Sequence, residues 1–129
     1  MKQILVTAGV IHEANRILMA RRRLNDREGG KWEFPGGKVE PGEDPRQAIC
    51  RELREELGIA AEAGRVLDVV SVNDGDQQLI LLYFACRIRS GSPSALQCQE
   101  VCFLSPEQID RLEKPAADSC FWRNYRDDL

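Results

Sequence analysis

The chain lacks several features that would place it in particular protein classes. It has no C-x-x-C pair and an odd number of cysteines, five, which argues against a disulfide framework and favours a reducing, cytoplasmic environment. No apolar run approaches the length of a membrane span, and the apolar run at the start is too short for a secretory signal. The sequence also has no repeat, low-complexity tract or linker, which predicts one domain over residues 1–129.

The charge balance limits the kind of partner. The formal net charge is −3, and a chain without a basic excess is not expected to bind a nucleic-acid polymer. A small anionic substrate would be slightly repelled unless cations screened its charge. The composition therefore favours a site that uses a metal ion, and it leaves open whether the chain is a monomer or a homodimer.

Apolar patterning predicts strands on both sides of one strong helix. The predicted strands are 4–11, 17–22, 64–72, 78–88 and 97–104, with a short extended piece at 32–34 and turns at 13–16 and 73–76. The first two strands are expected to form a hairpin. Two further helices are expected, a short one capped by Ser105 and a last one over 116–126. This arrangement implies an α/β fold, with a mixed sheet and helices packed on its faces.

The strongest helix has clear start and stop signals. Asp44 is a good N-cap, Pro45 occupies the first helical position, and Gln47 is placed to complete a capping box. Good helix formers continue to Leu57. Gly58 is then placed to end the helix in a left-handed conformation.

Acidic residues follow one face of this helix. The apolar positions that should face the core are Ile49, Leu53 and Leu57, and an acidic stripe of Glu52, Glu55 and Glu56 borders them. A solvated helix surface is the ordinary explanation, but like charges at i, i+4 cost roughly 0.2–0.5 kcal/mol. Arg51 can pair with Glu55, yet nothing in the helix neutralises all three carboxylates. A hard divalent cation, Mg²⁺ or Mn²⁺, would do so.

The segment around the helix resembles the Nudix box, G-x5-E-x7-R-E-U-x-E-E-x-G-U, in which U is a bulky aliphatic residue. All nine specified positions match over 23 residues: Gly37, Glu43, Arg51, Glu52, Leu53, Glu55, Glu56, Gly58 and Ile59. Such a long pattern is a specific signal. Residues 32–38 are also similar to the lead-in of the MutT-like group, and the length and predicted hairpin fit that group.

The resemblance implies an α/β/α sandwich around a mixed sheet and a Mg²⁺-dependent hydrolase, with Mn²⁺ as an alternative ion. Such an enzyme would cleave a nucleoside triphosphate to nucleoside monophosphate and pyrophosphate. The metal ligands it implies are the carbonyl of Gly37 and the carboxylates of Glu52, Glu55, Glu56 and Glu100. Glu43 and Arg51 would join the loop to the helix by an ion pair, and Gly58 would release the chain from the helix.

The residue that accepts the proton of the attacking water is left open. Glu52 or its neighbour Glu55 could serve, and so could Glu100, which stands in a segment similar to one that contributes an acidic residue in the family. An ordinary edge-strand carboxylate is the alternative for Glu100. Cys98 and Cys102 alternate with Glu100 along a predicted strand, where buried thiols are expected and a metal trio is the less favoured alternative.

Two cations are candidates for binding the phosphates. Arg22 occupies the place where MutT-like enzymes use an arginine, whose fork suits a phosphate. Strand alternation is expected to send Arg21 and Arg23 to the other face. Lys38 follows the glycines and could also reach a phosphate. A solvated surface is the alternative for Arg22 and Lys38.

Base recognition is expected from Phe34, from the strand around Leu82, and from the loop before the last helix. Guanine-specific MutT enzymes carry an asparagine in that loop, whereas this chain has Asp118. An ionised carboxylate only accepts hydrogen bonds, and both guanine and cytosine offer N–H donors. An N-cap for the last helix is the alternative role of Asp118. The same segment resembles CTP pyrophosphohydrolases.

These observations favour a nucleotide-pool sanitation enzyme, linked to DNA repair, that acts on 8-oxo-dGTP or dGTP. One alternative is a pyrophosphohydrolase for CTP or 5-methyl-dCTP. Another is a catalytically inactive Nudix module that senses nucleotides. The intact acidic stripe argues against the inactive module, because a binding module has no need of all three carboxylates.

Overall fold

Seven strands form one mixed sheet that carries helices on its faces. The structure is a computed structural model that describes residues 1–129. The strands are β1 (Lys2–Glu13), β2 (Arg16–Arg21), β3 (Trp32–Glu33), β4 (Gly36–Lys38), β5 (Ala60–Asp74), β6 (Gln77–Ser90) and β7 (Glu100–Leu104). The helices are α1 (Pro45–Leu57), α2 (Pro106–Asp110) and α3 (Ala116–Arg126). No helix is long and apolar enough to cross a membrane.

The sheet is mixed because its two central strands run parallel. The strand order is β3-β2-β1-β6-β5, with β4 paired to β1 and β7 paired to β2. β1 and β6 are parallel, and every other pairing is antiparallel. The predicted hairpin of the first two strands is confirmed by the pairing of His12 with Ile17.

Helix α1 has the bounds that its capping residues predict. Gly58 follows it with φ 70° and donates its N–H to the carbonyl of Arg54. Asp44 caps the other end by accepting from the N–H of Arg46 at 2.8 Å. The predicted capping box is wrong, because the Asp44 carboxylate bonds to Arg46 instead of Gln47.

Each face of the sheet has its own core, because successive residues of a strand point to opposite sides. On one face α1 buries Ile49, Leu53 and Leu57, each 0% exposed. On the other face α3 buries Phe121 and Trp122. The predicted α/β/α sandwich is therefore confirmed.

Two local predictions are corrected. Strand β7 begins at Glu100, so Cys98 precedes it, and Cys102 is exposed instead of buried. The turn predicted over 73–76 is shorter, because Asn73 and Asp74 still pair with β6. All five cysteines are free thiols.

The pairings around β1 bring the box to the centre of the sheet. Thr7 pairs with Gly37 of β4 on one side and with Leu82 of β6 on the other. The Thr7 hydroxyl also donates to the Gly37 carbonyl at 3.2 Å. The glycine loop is thereby held beside α1, against which β4 packs.

Candidate functional site

One cavity of about 610 Å³ extends from the acidic stripe to a buried carboxylate. Gly37, Glu52 and Glu56 line one end of it, and Asp118 lines the other. Apolar side chains from β1, β6 and their surroundings form the walls: Ile4, Val6, Ala8, Phe34, Val72, Leu79 and Leu81. The cavity thus offers a polar end for phosphates and an apolar end for a flat base.

Arg51 organises two of the three stripe carboxylates. Its Nη1 lies 3.0 Å from Glu52 Oε1 and 3.1 Å from Glu55 Oε2. Its Nε and Nη2 form a two-point ion pair with Glu43, at 2.8 Å and 3.0 Å. The hydrogen bond between them raises the pKa of Arg51 and lowers the pKa of Glu43. Nη2 also donates to the carbonyl of Lys38 at 3.0 Å, so one guanidinium fixes the loop to the helix.

Glu56 is half-buried, as Glu52 is, and forms no ion pair, unlike Glu52 and Glu55. Burial, with added repulsion from Glu33 and Glu52, raises the pKa of Glu56 to about 8. A backbone hydrogen bond from Gly36 partly opposes this rise. Burial also raises the pKa of Glu52. The stripe therefore carries negative potential that a cation would relieve.

The oxygen atoms at this end suit a hard divalent cation. A Cβ at Gly37 would lie 2.5 Å from the carboxyl carbon of Glu52, so only glycine leaves room for that carboxylate. Carboxylate and carbonyl oxygens are the ligands that Mg²⁺ and Mn²⁺ prefer. No three acidic, His or Cys side chains converge on one point. Glu52 and Glu55 instead form ion pairs with Arg51.

Arg22 stands where two cavities meet. Its Nη1 lies 2.9 Å from Glu33 Oε1, and its Nε donates to the carbonyl of Arg27 at 2.7 Å. Burial lowers the pKa of Arg22, and the Glu33 carboxylate raises it. The increase is larger than the decrease, so the pKa of Arg22 lies above its ordinary value. A second cavity of about 560 Å³ shares Arg22, Glu33 and Glu56 with the first. Arg22 is therefore fixed at the border of the acidic end.

Arg23 also lines the second cavity. The expectation that Arg21 and Arg23 share the opposite face is therefore wrong. Strand β2 ends at Arg21, so strand alternation does not extend to Arg23.

Glu100 lies away from both cavities. It pairs with Arg21 across β2 and β7, and its Oε1 is 3.4 Å from Arg21 Nη1. Gln97 and Cys98 line the second cavity beside Glu56, and Glu100 is not among the lining residues. The structure does not bring Glu100 to the stripe, and its catalytic role stays a prediction.

The apolar end of the cavity contains Phe34, and its expected role in base recognition stays a prediction. Phe34 is 3% exposed and meets the Tyr83 ring edge to face, with centroids 6.1 Å apart. The strand around Leu82 lines the cavity through Leu79 and Leu81, whereas Leu82 itself packs on the α1 side. Lys38 is exposed at the rim.

Asp118 is almost completely buried, at 4% exposure. It lies in the first turn of α3, whose N-cap is Pro115, so the N-cap alternative for Asp118 is wrong. The Tyr83 hydroxyl donates to Asp118 Oδ1 at 2.5 Å. Burial raises the pKa of Asp118 to about 7.

Comparison with known proteins connects this geometry to a family. Residues 2–124 match the family model described as NUDIX domain. The chain belongs to the Nudix family. The resemblance inferred from the box is confirmed, and the chain is a MutT-like Nudix hydrolase.

Three individual matches support this Nudix assignment. The 8-oxo-dGTP diphosphatase of Proteus vulgaris is 43% identical over 84 residues, which cover 64% of this chain and 75% of that protein. The CTP pyrophosphohydrolase of Escherichia coli (strain K12) is 55% identical over 64 residues, which cover 50% of this chain and 47% of that protein. The solution structure of the E. coli ORF135 protein has a TM-score of 0.85 and 34% identity, and covers 98% of this chain and 90% of that chain.

Two groups in this Nudix hydrolase escaped the sequence analysis. Val6 and Ala8 of β1, which line the cavity, were predicted only as part of a strand, since a strand buried on both faces shows no alternation to separate its sides. Tyr83 was seen only as part of a strand. No local signal marks its contact with Asp118, which lies 35 residues further along the chain.

Proposed function

We propose that this Nudix hydrolase is a nucleoside triphosphate diphosphatase, which converts a nucleoside triphosphate and water to nucleoside monophosphate and pyrophosphate. One observation carries the proposal: a single cavity joins the buried Asp118 to Glu52 and Glu56. A base bound near Asp118 would place its phosphates beside the acidic stripe. The relatives named 8-oxo-dGTP diphosphatase and CTP pyrophosphohydrolase support the same reaction class.

Mg²⁺, or Mn²⁺ in its place, would be held by the Gly37 carbonyl and by Glu52, Glu55 and Glu56. When bound, the ion would neutralise phosphate charge and lower the pKa of the attacking water. Arg51 supports this arrangement by keeping two of the carboxylates on one side of α1. The residues present therefore fit the group that the family uses.

Hydrolysis is substitution by water at phosphorus. The water oxygen forms a bond to phosphorus, and the bond between phosphorus and the bridging oxygen breaks. A carboxylate takes the proton of the water, and Glu52 is our preferred base because it lines the cavity and is partly desolvated. Glu55 is a second candidate, and Glu100 remains the candidate from the family resemblance alone.

Arg22 and Lys38 are the proposed phosphate-binding cations. Both line the cavity that contains the stripe. Arg22 uses part of its guanidinium for Glu33 and the Arg27 carbonyl, which orients the remaining N–H groups. Lys38 is a mobile point charge at the rim and would follow the phosphates as they bind.

The leading substrate is 8-oxo-dGTP or dGTP, which gives the protein a role in cleaning the cytoplasmic nucleotide pool. CTP or 5-methyl-dCTP is the second candidate. Asp118 favours this alternative, because a carboxylate stands where guanine-specific MutT enzymes have an asparagine, and the 55% identical relative is named CTP pyrophosphohydrolase. In both cases the partner is a small nucleotide.

The test is to incubate the protein with Mg²⁺ and a panel of normal, oxidised and methylated nucleoside triphosphates, and to measure both phosphate products. We expect pyrophosphate and the matching monophosphate in equal amounts from at least one nucleotide. Release of orthophosphate would contradict the proposed bond. A folded protein that hydrolyses none of the panel would contradict the proposed reaction.

A further inference from the structure

Tyr83 and Asp118 form a buried side-chain pair below the base end of the cavity. Tyr83 is 0% exposed, and its hydroxyl lies 2.5 Å from Asp118 Oδ1. Its ring stacks on Phe121, with centroids 4.1 Å apart and planes 3° from parallel, and it meets Phe34 at 88°. These contacts hold the ring in one orientation, so the hydroxyl is held in place as well.

The direction of this hydrogen bond follows from burial. Desolvation and the nearby Asp118 carboxylate raise the pKa of Tyr83 far above its ordinary value, so the hydroxyl keeps its proton and donates. Asp118 lines the cavity, whereas Tyr83 does not. The tyrosine therefore acts on the cavity only through the carboxylate. The Tyr83 hydroxyl and the backbone N–H of Phe34 use part of the acceptor capacity of Asp118 and leave the remaining lone pairs for a ligand.

A ligand at this point meets a hydrogen-bond acceptor between apolar walls. An exocyclic amino group on a base would satisfy the acceptor with an N–H donor. An oxo group at the same position would place a second set of lone pairs against it and leave buried polar atoms unpaired. Sites of this kind discriminate between bases by polar pairing more strongly than by shape.

We propose that Tyr83 is a positioning residue that orients Asp118 to accept a hydrogen bond from the exocyclic amino group of the substrate base. This inference rests on the proposed function and narrows its substrate class. The protein should prefer triphosphates of amino-bearing bases, such as cytosine and guanine, over those of uracil and hypoxanthine.

Two nucleotide pairs test the preference, because the members of each pair differ at the exocyclic amino group. UTP has an oxo group and a protonated N3 where CTP has the amino group and a bare N3, and ITP has only hydrogen where GTP has the amino group. CTP is compared with UTP, and GTP with ITP, at about pH 8.5, above the raised pKa of Asp118. For wild-type protein we expect kcat/KM to favour the amino member of at least one pair by about tenfold or more. Equal kcat/KM values within both pairs would overturn the inference and leave the proposed reaction intact.

Tyr83→Phe tests the positioning role, because it removes the hydroxyl and keeps the stacked ring. We expect the amino preference to fall by about threefold or more, through KM, with kcat for the preferred nucleotide little changed. Tyr125→Phe is the matched control, since Tyr125 also stacks on Phe121 but its hydroxyl bonds to His12 at 2.7 Å. An unchanged preference in Tyr83→Phe, or an equal loss in both variants, would contradict the role of Tyr83.

A second variant keeps the test decisive if Tyr83→Phe does not fold. Asp118→Asn can still accept from Tyr83 and adds an N–H donor toward the cavity. We expect it to shift the preference within the CTP and UTP pair toward UTP, and an unaltered preference would overturn the inference. If neither these four nucleotides nor the oxidised and methylated ones react with wild-type protein, the proposed function is refuted, and with it the inference.

Discussion

Glu52 and Glu100 are the residues whose roles the structure separates most clearly. Glu52 lies in the cavity against Gly37 and Arg51, and burial raises its pKa. Glu100 is exposed and paired with Arg21 on the other side of β2. A carboxylate that accepts a proton from water must reach the reacting phosphate, and of these two carboxylates only Glu52 lines the cavity.

The two carboxylates can therefore be compared as matched substitutions. Glu52→Gln should reduce kcat by about 100-fold or more, because it removes both a charge and the proposed base. Glu100→Gln should reduce kcat by less than about tenfold, since it disturbs only an exposed ion pair. Both values come from steady-state pyrophosphate release.

Thermal unfolding in EDTA provides the control for both variants. Each should unfold close to the wild-type temperature, which separates lost chemistry from lost structure. Equal losses of kcat in the two variants would indicate that Glu100 also takes part in catalysis. A loss in Glu52→Gln that followed unfolding would make Glu52 a structural residue.

At the scale of elements, α1 is the scaffold on which the site depends. Its buried face packs on the sheet through Ile49, Leu53 and Leu57, while two members of the adjoining stripe, Glu52 and Glu56, line the cavity. Gly58 ends the helix at φ 70°, a conformation that disfavours any residue with a Cβ.

Gly58→Ala should therefore destabilise the protein by about 1 kcal/mol, which corresponds to a lower melting temperature by roughly 3–5 °C. Arg54→Ala is a suitable comparison, because its side chain is exposed on the same helix and should have an effect within about 0.5 kcal/mol. Differential scanning calorimetry measures both. Equal melting temperatures for the glycine variant and wild type would show that the left-handed end is not required.

The elements also show which features the sequence can predict. The bounds of α1 and α3 follow from local signals, and the structure reproduces them at Pro45–Leu57 and Ala116–Arg126. The acidic stripe follows from helical periodicity in the same way. These features depend on residues within a few positions of one another, so periodicity and capping preferences are enough.

The remaining features depend on distant pairings. The strand around Leu82 was expected to contribute, but the sequence does not separate Leu79 and Leu81 from Leu82, because β6 is apolar on both faces and such a run does not show which residues point to α1. Arg23 was misplaced because the end of β2 was set one residue too late. The contact between Tyr83 and Asp118 requires α3 to pack on one particular face of β6.

At the scale of the whole molecule, the parallel pairing of β1 with β6 joins the two ends of the site. The cavity-lining residues of these two strands therefore lie side by side. Strand β4, on the other edge of β1, places Gly37 next to α1. One cavity then contains a buried acceptor at one end and the acidic stripe at the other. The fold therefore places an apolar end and an acidic end in one cavity, as the proposed binding of a base and its phosphates requires.

Divalent-ion binding by the acidic stripe tests this account most directly. Electron paramagnetic resonance of Mn²⁺, titrated with folded protein in the presence of a nucleoside monophosphate, measures the bound ion without any turnover. We expect Mn²⁺ to bind to wild-type protein and its affinity to fall by about tenfold or more in Glu56→Gln, which removes one carboxylate from the stripe. Free Mn²⁺ throughout the wild-type titration, or unchanged affinity in the variant, would contradict the assignment of the stripe as the metal site.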